Sequence, residues 1–361
     1  MNAAPIMIMA GGTGGHIFPG LAVAEILRAR DERVVWLGTT RGLEAELVPE
    51  RGIDIEWISI AGVRGRGWLA WLAAPFRIAW SVWQALSVIL RRRPGAVLGL
   101  GGFVSAPGGI AAWITRKPLI IHEQNAVAGT ANRLLARLAT RVFEAFPGSF
   151  GSRVDAVEIG NPVRDEILAN GNSGPRGGTP DRPVRLLVLG GSRGALILNR
   201  IVPEALAALP AESRPIVRHQ AGQSLGEAEA AYRETGVAVE LSSFIDDMAA
   251  AYSWADLVVA RAGALTLAEI AAAGLGAILI PFPYAVDDHQ ARNAEFFAAA
   301  GGAIVLPQAD LDASRLRFEL ERVIGNRAVL AEMGRMSHAL MRPGAAERLA
   351  DACVELAGAR R

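Results

Sequence analysis

Residues 11–16 read GGTGGH: four glycines surround Thr13, and His16 follows at once. Glycines at a strand-to-helix turn let backbone N–H groups approach a ligand without intervening side chains. A histidine at a helix start feels the positive end of the helix dipole, which disfavours its charged form. A neutral imidazole beside a ligand can accept a proton, so His16 is the first candidate for a general base. The alternative is a helix-start histidine that hydrogen-bonds only locally. IIHEQN, residues 120–125, supplies His122, Glu123 and Asn125 straight after a strand-like run. Glu123 is a second candidate base. Asn125 fits either a contact to a sugar or a turn.

Residues 255–274, ADLVVARAGALTLAEIAAAG, form the richest stretch. A strand, LVVA, leads through Arg261, Ala262 and Gly263 into a helix that Gly274 should end. The small Gly263 and Ala264 leave the first helix amides open to a diphosphate. Glu269 stands about one and a half turns further in, and one carboxylate can accept from both hydroxyls of a ribose; the alternative is an exposed helix charge. After the next strand come His289, Gln290 and Asn293, again at the ligand end.

Other chemistries fit poorly. GGTGGH and GGSRGA (190–195) both miss the G-x-G-x-x-G fingerprint, and the second strand, VVWLG, ends in Gly38, Thr39 and Thr40 with no acid for a ribose. There is no G-x-x-x-x-G-K-[ST]. The acid pairs in IDDM (245–248) and VDDH (286–289) are adjacent, so on a strand they would point opposite ways and suit helix capping. No histidine pair has zinc spacing. We expect no metal and no cofactor.

These residues need a scaffold that gathers strand ends. Apolar runs of strand length alternate with helical patterns along the chain, the mark of parallel sheets wrapped by helices. The opening returns at 184–202, VRLLVLGGSRGALILNRIV, so the glycine loops at 11–15 and 190–194 hold equivalent places in two α/β halves. Two Rossmann-like, doubly wound domains facing across a cleft are the economical architecture, with ligands at the carboxyl ends of the strands. The aperiodic NGNSGPRGGTPDRP (170–183) reads as a loop near the boundary. We place the domains at 1–163 and 164–340.

Composition agrees. The 361 residues are 51% hydrophobic and 20% charged, which suits a globular chain of about two domains. A net charge of +1 offers no nucleic-acid footprint. A lone cysteine, Cys353, points to a reducing compartment. Residues 67–90, GWLAWLAAPFRIAWSVWQALSVIL, raise a membrane question. Pro75 suits a first helical turn, and Phe76 to Leu90 would then span roughly 22 Å, short of the ~30 Å hydrocarbon core. We expect an amphipathic helix over 75–92. It is either a buried core helix or one lying on an anionic membrane surface through Trp80, Trp83 and the basic Arg91, Arg92 and Arg93.

Taken together, GGTGGHIFPG, GGFVSAPGG (101–109), HEQNAVAGTANRLLA (122–136), GNPVR (160–164), GGSRGA, FIDDMAAAY (244–252), RAGALTLAEIAAAG and DDHQARNA (287–294) resemble the MurG family of bacterial peptidoglycan glycosyltransferases, nearly end to end. The resemblance implies a GT-B fold whose C-terminal helix, about 341–361, returns to the first domain. It implies transfer of N-acetylglucosamine from UDP-GlcNAc to the C4 hydroxyl of the muramyl-pentapeptide sugar of lipid I, an undecaprenyl-pyrophosphate, giving lipid II. That reaction belongs at the cytoplasmic face of the bacterial inner membrane, on a peripheral enzyme.

On the family's pattern the second domain binds the donor. Ala264, Leu265, Thr266, Leu267, Ala268 and Glu269 hold diphosphate and ribose. Ser192 meets a phosphate, Ile245 reads the uracil edge through its backbone, and Arg164 belongs to the donor set. Gln290 and Asn125 contact the transferred sugar, completed by Thr13, Gly14 and Gly15 of the other domain. Two departures stand out: His289 precedes Gln290 where the family often has two glutamines, and Ala262 replaces a frequent serine. A sugar-nucleotide 2-epimerase of similar fold, or a non-catalytic nucleotide-sugar binder, is the rival reading.

Overall fold

The central strand-like runs are apolar on both faces, and the computed structural model buries them on both faces. It describes residues 4–60, 68–170, 182–191, 194–285 and 288–359, with the backbone alone at 68–74 and 170. The chain divides into two units, 1–162 with 342–361, and 163–341.

The first unit holds a seven-stranded, wholly parallel sheet of β1 (Ile6–Met9), β2 (Val34–Gly38), β3 (Asp54–Trp57), β4 (Ala96–Gly99), β5 (Leu119–Glu123), β6 (Arg141–Glu144) and β7 (Val157–Glu158). Its order is β3-β2-β1-β4-β5-β6-β7. β1, IMIM, and β4, AVLG, are buried throughout, as central parallel strands must be. The helices are α1 (Gly14–Ala29), α2 (Glu44–Glu50), α3 (Trp68–Arg92), α4 (Ser105–Ile114) and α5 (Thr130–Leu135). The last helix of the chain, α14 (Ala345–Gly358), joins this unit's core through Leu349, Ala350 and Cys353. Arg30–Asp351 and Arg141–Glu355 pairs fasten its outer face.

The second unit has six parallel strands, β8 (Arg185–Leu189), β9 (Ile216–Gln220), β10 (Glu240–Ser242), β11 (Leu257–Ala260), β12 (Gly276–Leu279) and β13 (Ala303–Val305), in the order β10-β9-β8-β11-β12-β13. Its helices are α6 (Asp165–Asn170), α7 (Leu196–Ala207), α8 (Leu225–Thr235), α9 (Met248–Trp254), α10 (Ala264–Ala273), α11 (His289–Ala299), α12 (Ala313–Ile324) and α13 (Arg327–His338). α10 ends as its sequence suggests, with Gly274 in the left-handed region at φ 65°, where glycine carries no Cβ penalty.

In both sheets the strand order reverses direction once, between β1 and β4 and between β8 and β11. Met9 pairs with Gly99, and Leu189 with Ala260, at the carboxyl ends flanking those reversals. Each reversal opens a crevice where ligands of such sheets bind. The loops that rim the crevices begin at 10 and 100 in one unit and at 190 and 261 in the other.

One expected element differs. α3 starts at Trp68, so Pro75 lies inside the helix rather than in its first turn. A proline there removes one intrahelical donor; Pro75 sits on an exposed turn, where water can satisfy the carbonyl left over. Most of the 170–183 loop lies outside the described residues.

Candidate functional site

In the first unit, Thr13 is the N-cap residue of α1, with extended backbone and no side-chain cap, and His16 falls in the opening turn. Thr13 and Gly15 are exposed, and Gly14 and His16 half-buried. The His16 ring lies against Gly101: a Cβ there would come within 2.9 Å of both Cε1 and Nδ1. Gly101 has φ +96°, so position and conformation both require glycine. Its N–H donates to Ser105 Oγ at 3.0 Å, and Ser105 Oγ donates to the Gly101 carbonyl at 2.7 Å. The loop of residues 100–104 therefore backs the candidate base.

The glycines of the first loop serve two purposes. A Cβ on Gly11, Gly38 or Gly42 would run into the Glu44 side chain, whereas one on Gly12 would meet nothing within 4 Å among the described residues. Glu44 is fully buried. Its Oε2 accepts the Gly12 N–H at 2.9 Å, and its Oε1 accepts the Thr39 N–H at 3.0 Å and the Thr39 hydroxyl at 2.8 Å. The second loop is held in the same way by a neutral group: Gln220 Oε1 accepts the Gly191 N–H, and Nε2 donates to the Gly191 and Ser243 carbonyls, all at 3.1 Å. Neither clamp stands out in the sequence; a carboxylate opening a helix behind a strand end was the available signal for Glu44. Ser192 lies outside the described residues.

Glu123, the second candidate base, is an internal carboxylate. It is 2% exposed. Oε1 accepts the Asn125 N–H and Nδ2, both at 3.0 Å; Oε2 accepts Gly129 N–H at 3.1 Å and Asn132 Nδ2 at 2.9 Å. With both oxygens occupied it shapes the 124–132 loop and fixes the Asn125 side chain. His122 is likewise internal: its Nε2–H donates to the Gly160 carbonyl at 2.9 Å, and burial pushes its pKa down to about 4.

In the second unit, α10 opens at Gly263 with no side-chain cap. A Cβ on Gly263 would meet only Thr266 Oγ1, at 3.5 Å, among the described residues, so packing does not demand glycine there and the helix start is left approachable. The range 264–269 divides. Leu267 is fully buried and its N–H bonds the Gly263 carbonyl; Ala268 follows within the helix. An anion at this helix start would therefore meet the first turn, residues 264–266, and not the amides deeper in the helix.

Glu269 sits one turn deeper with its side chain 16% exposed. Arg164 Nη2 donates to Oε1 at 2.9 Å and Tyr252 Oη donates to Oε2 at 3.0 Å. Burial raises the Glu269 pKa, against the opposing pull of Arg164 and Tyr252. Each carboxylate oxygen has about two acceptor positions, so among the described residues each keeps one for a further donor, a match for two neighbouring hydroxyls. Ile245 is half-buried just ahead of α9, whose N-cap, Asp247, accepts the Ala250 N–H at 2.8 Å. Gln290 Oε1 accepts the Phe282 N–H at 3.0 Å, so a ligand would meet its NH₂. Asn293 Nδ2 holds the Ala262 carbonyl at 3.2 Å. Among the described residues no three His, Cys, Asp or Glu are grouped to hold a metal ion.

Residues 6–144 match the glycosyltransferase family 28 N-terminal domain, and residues 185–349 its C-terminal domain. The UDP-N-acetylglucosamine–N-acetylmuramyl-(pentapeptide) pyrophosphoryl-undecaprenol N-acetylglucosamine transferase of Nitrosococcus oceani is 56% identical over 98% of both chains. The chain belongs to the MurG family. The enzyme of the same name from Alkalilimnicola ehrlichii is 54% identical over 97% of this chain and 98% of its own. The crystal structure of Acinetobacter baumannii MurG matches with a TM-score of 0.84 at 38% identity, covering 97% of this chain and 99% of that one. The calicheamicin glycosyltransferase CalG4, at 18% identity and a TM-score of 0.69 over 98% of each chain, shares the fold. The two Rossmann-like units are thus a GT-B glycosyltransferase fold, and the chain is a MurG-type hexosyltransferase.

Proposed function

We propose that the chain transfers N-acetylglucosamine from UDP-GlcNAc to the C4 hydroxyl of the muramyl-pentapeptide of lipid I, yielding lipid II and UDP with inversion at the anomeric carbon. The observation that carries the donor half is Glu269, held by Arg164 and Tyr252 with one acceptor position left on each oxygen among the described residues, about one and a half turns inside an uncapped helix start. That pattern suits a ribose diol next to a diphosphate. The acceptor half rests on the names of the relatives at 54% and 56% identity.

In this reading the α10 amides of Ala264, Leu265 and Thr266, with Ser192, receive the diphosphate. Ile245 reads the uracil edge through its backbone. Gln290 offers its NH₂ to the sugar, and Asn125, Thr13, Gly14 and Gly15 are the first unit's contribution. His16 takes the proton from the acceptor hydroxyl as its oxygen bonds to the anomeric carbon. The bond from that carbon to the diphosphate breaks, and UDP leaves with the electron pair. Fixed helix amides stabilise the departing charge without reorganising.

A lipid-linked acceptor also requires access to a membrane. Among the described residues no helix is long and apolar enough to cross one. α3 instead exposes Phe76, Ile78, Trp80 and Trp83, and α4, packed beside it, exposes Trp113 and Ile114. Trp80 and Trp83 stack at 4.8 Å. Phe76, Trp80 and Trp83 share one face of α3 by helical spacing; exposed aromatic side chains on one helix face suit interfacial docking, and we assign this face to the cytoplasmic surface of the inner membrane. The basic run contributes less than its sequence suggests, because Arg91 and Arg92 pair with Glu56 at 2.5 and 2.6 Å.

Incubating the purified protein with UDP-GlcNAc and lipid I, with and without EDTA, tests the proposal. Lipid II and UDP should form in equal amounts and EDTA should leave the rate unchanged. Consumption of UDP-GlcNAc without lipid I would favour an epimerase. Binding without turnover would favour a nucleotide-sugar binder.

A further inference from the structure

Tyr252 is the fifth residue after the Ile245–Asp247 turn that we assign to the uracil, and it is 1% exposed. Its hydroxyl donates to Glu269 Oε2 at 3.0 Å. Arg164 holds the other oxygen. A glutamate has three side-chain torsions, and a carboxylate free to rotate cannot present both oxygens to a rigid diol at once. Arg164 alone does not settle the matter, since a single Nη2 contact leaves rotation about the carboxyl bond open. A second donor on the second oxygen closes it.

We propose that Tyr252 is a positioning residue for nucleotide recognition: its hydroxyl fixes the plane of the Glu269 carboxylate so that both oxygens meet the ribose hydroxyls together. This deepens the donor-binding role assigned to Glu269 and rests on it. The position suits the task. Tyr252 is on α9, whose first turn is pinned by the Asp247 cap, so one short segment carries both the base-reading turn and the ribose clamp. Burial raises the phenol pKa well above its usual value, and Tyr252 therefore remains a donor at any working pH. α6, which follows directly on Arg164, packs against both α9 and α10, so both donors come from elements braced against the carboxylate's own helix.

Tyr252→Phe removes one oxygen and keeps the ring that fills the core. The test is calorimetric binding of UDP and of 2′,3′-dideoxy-UDP to wild type and to Tyr252→Phe, with thermal melts to confirm that the variant folds. Wild type should prefer UDP. The variant should bind UDP roughly tenfold more weakly and bind dideoxy-UDP within about twofold of wild type. A structural role would weaken both ligands equally, and an unchanged UDP affinity would remove the role altogether; either result overturns the proposal. Equal binding of the two ligands by wild type would overturn the ribose reading of Glu269 itself, and the proposal with it. A Glu269→Gln variant, with and without Tyr252→Phe, provides the cycle: once the carboxylate is gone, the tyrosine change should no longer affect UDP affinity.

Discussion

The Glu44 carboxylate accepts the Gly12 N–H at 2.9 Å from a site with no solvent exposure. Among the described residues no cation pairs with it, and its other oxygen holds Thr39. The first glycine loop is therefore pinned from below, and the segment Thr13–His16 inherits its position from that bond. In Glu44→Gln one of the two oxygens becomes an NH₂ facing a donor. A buried donor left unsatisfied costs about 1–3 kcal/mol. We expect a melting temperature lowered by several degrees and a kcat reduced about tenfold or more, measured by calorimetry and by lipid II formation. Wild-type values for both would mean the loop holds its shape without the clamp.

His16→Ala should lower kcat by about 10²–10⁴, the usual contribution of a general base. The KM for UDP-GlcNAc should stay within a few-fold of wild type, because most of the donor contacts proposed above lie in the second unit. Steady-state kinetics with each substrate varied in turn separates the two constants. A variant that loses donor affinity but keeps kcat would reassign His16 to binding.

Glu269 must be ionised to accept two hydroxyls, and burial raises its pKa above the ordinary 4.5. As pH falls through that raised value the carboxylate takes up a proton and donor recognition weakens. Arg164 pulls the pKa down, so Arg164→Met should raise it further. The acid limb of kcat/KM for UDP-GlcNAc should then move toward neutral pH. A limb that stays put in the variant would show that another group controls it.

Two buried histidines set a pH dependence of stability. The pKa values of His122 and His219 are lowered by burial to about 4, from an ordinary 6.5. Above 6.5 neither costs anything. As pH falls from 6.5 toward 4 the unfolded chain binds protons that the folded chain refuses, and stability declines. Each histidine accounts for about 2 kcal/mol of loss at pH 5. His219→Gln should therefore narrow the gap in melting temperature between pH 7.5 and pH 5, although Tyr232 loses its partner and the neutral-pH value falls. An equal gap in both proteins would place the acid sensitivity elsewhere.

Trp80 and Trp83 are each more than half exposed. Replacing both with serine should leave folding intact and reduce co-sedimentation with vesicles containing anionic lipid, by about tenfold or more given the apolar area withdrawn. Activity on a short-chain, water-soluble acceptor should be unaffected. Undiminished vesicle binding would point to a different face.

Much of this was legible in the sequence because it is local. Runs such as IMIM and RLLVL are strands on their own evidence of length and apolarity, and the glycine turns that follow them mark the crevices. Gly263 and Glu269 share one helix, so their spacing alone placed them together. What escaped is non-local. Glu44 meets Gly12 from 32 residues away, Gln220 meets Gly191 from 29, and Tyr252 meets Glu269 from 17. No periodicity carries such pairings. The burial of Glu123 escaped for the same reason, since it depends on how Gly129 and Asn132 fold back over it. Pro75 misled in another way: a proline signals a helix start by propensity, and an exposed turn tolerates it within a helix.

The central claim is that the start of α10 and Glu269 together hold the nucleotide. A crystal structure with UDP bound tests it most directly. The account predicts the diphosphate on the amides of residues 264–266 and both ribose hydroxyls on Glu269, with Tyr252 still in place behind it. UDP bound away from α10, or a ribose turned from Glu269, would contradict it.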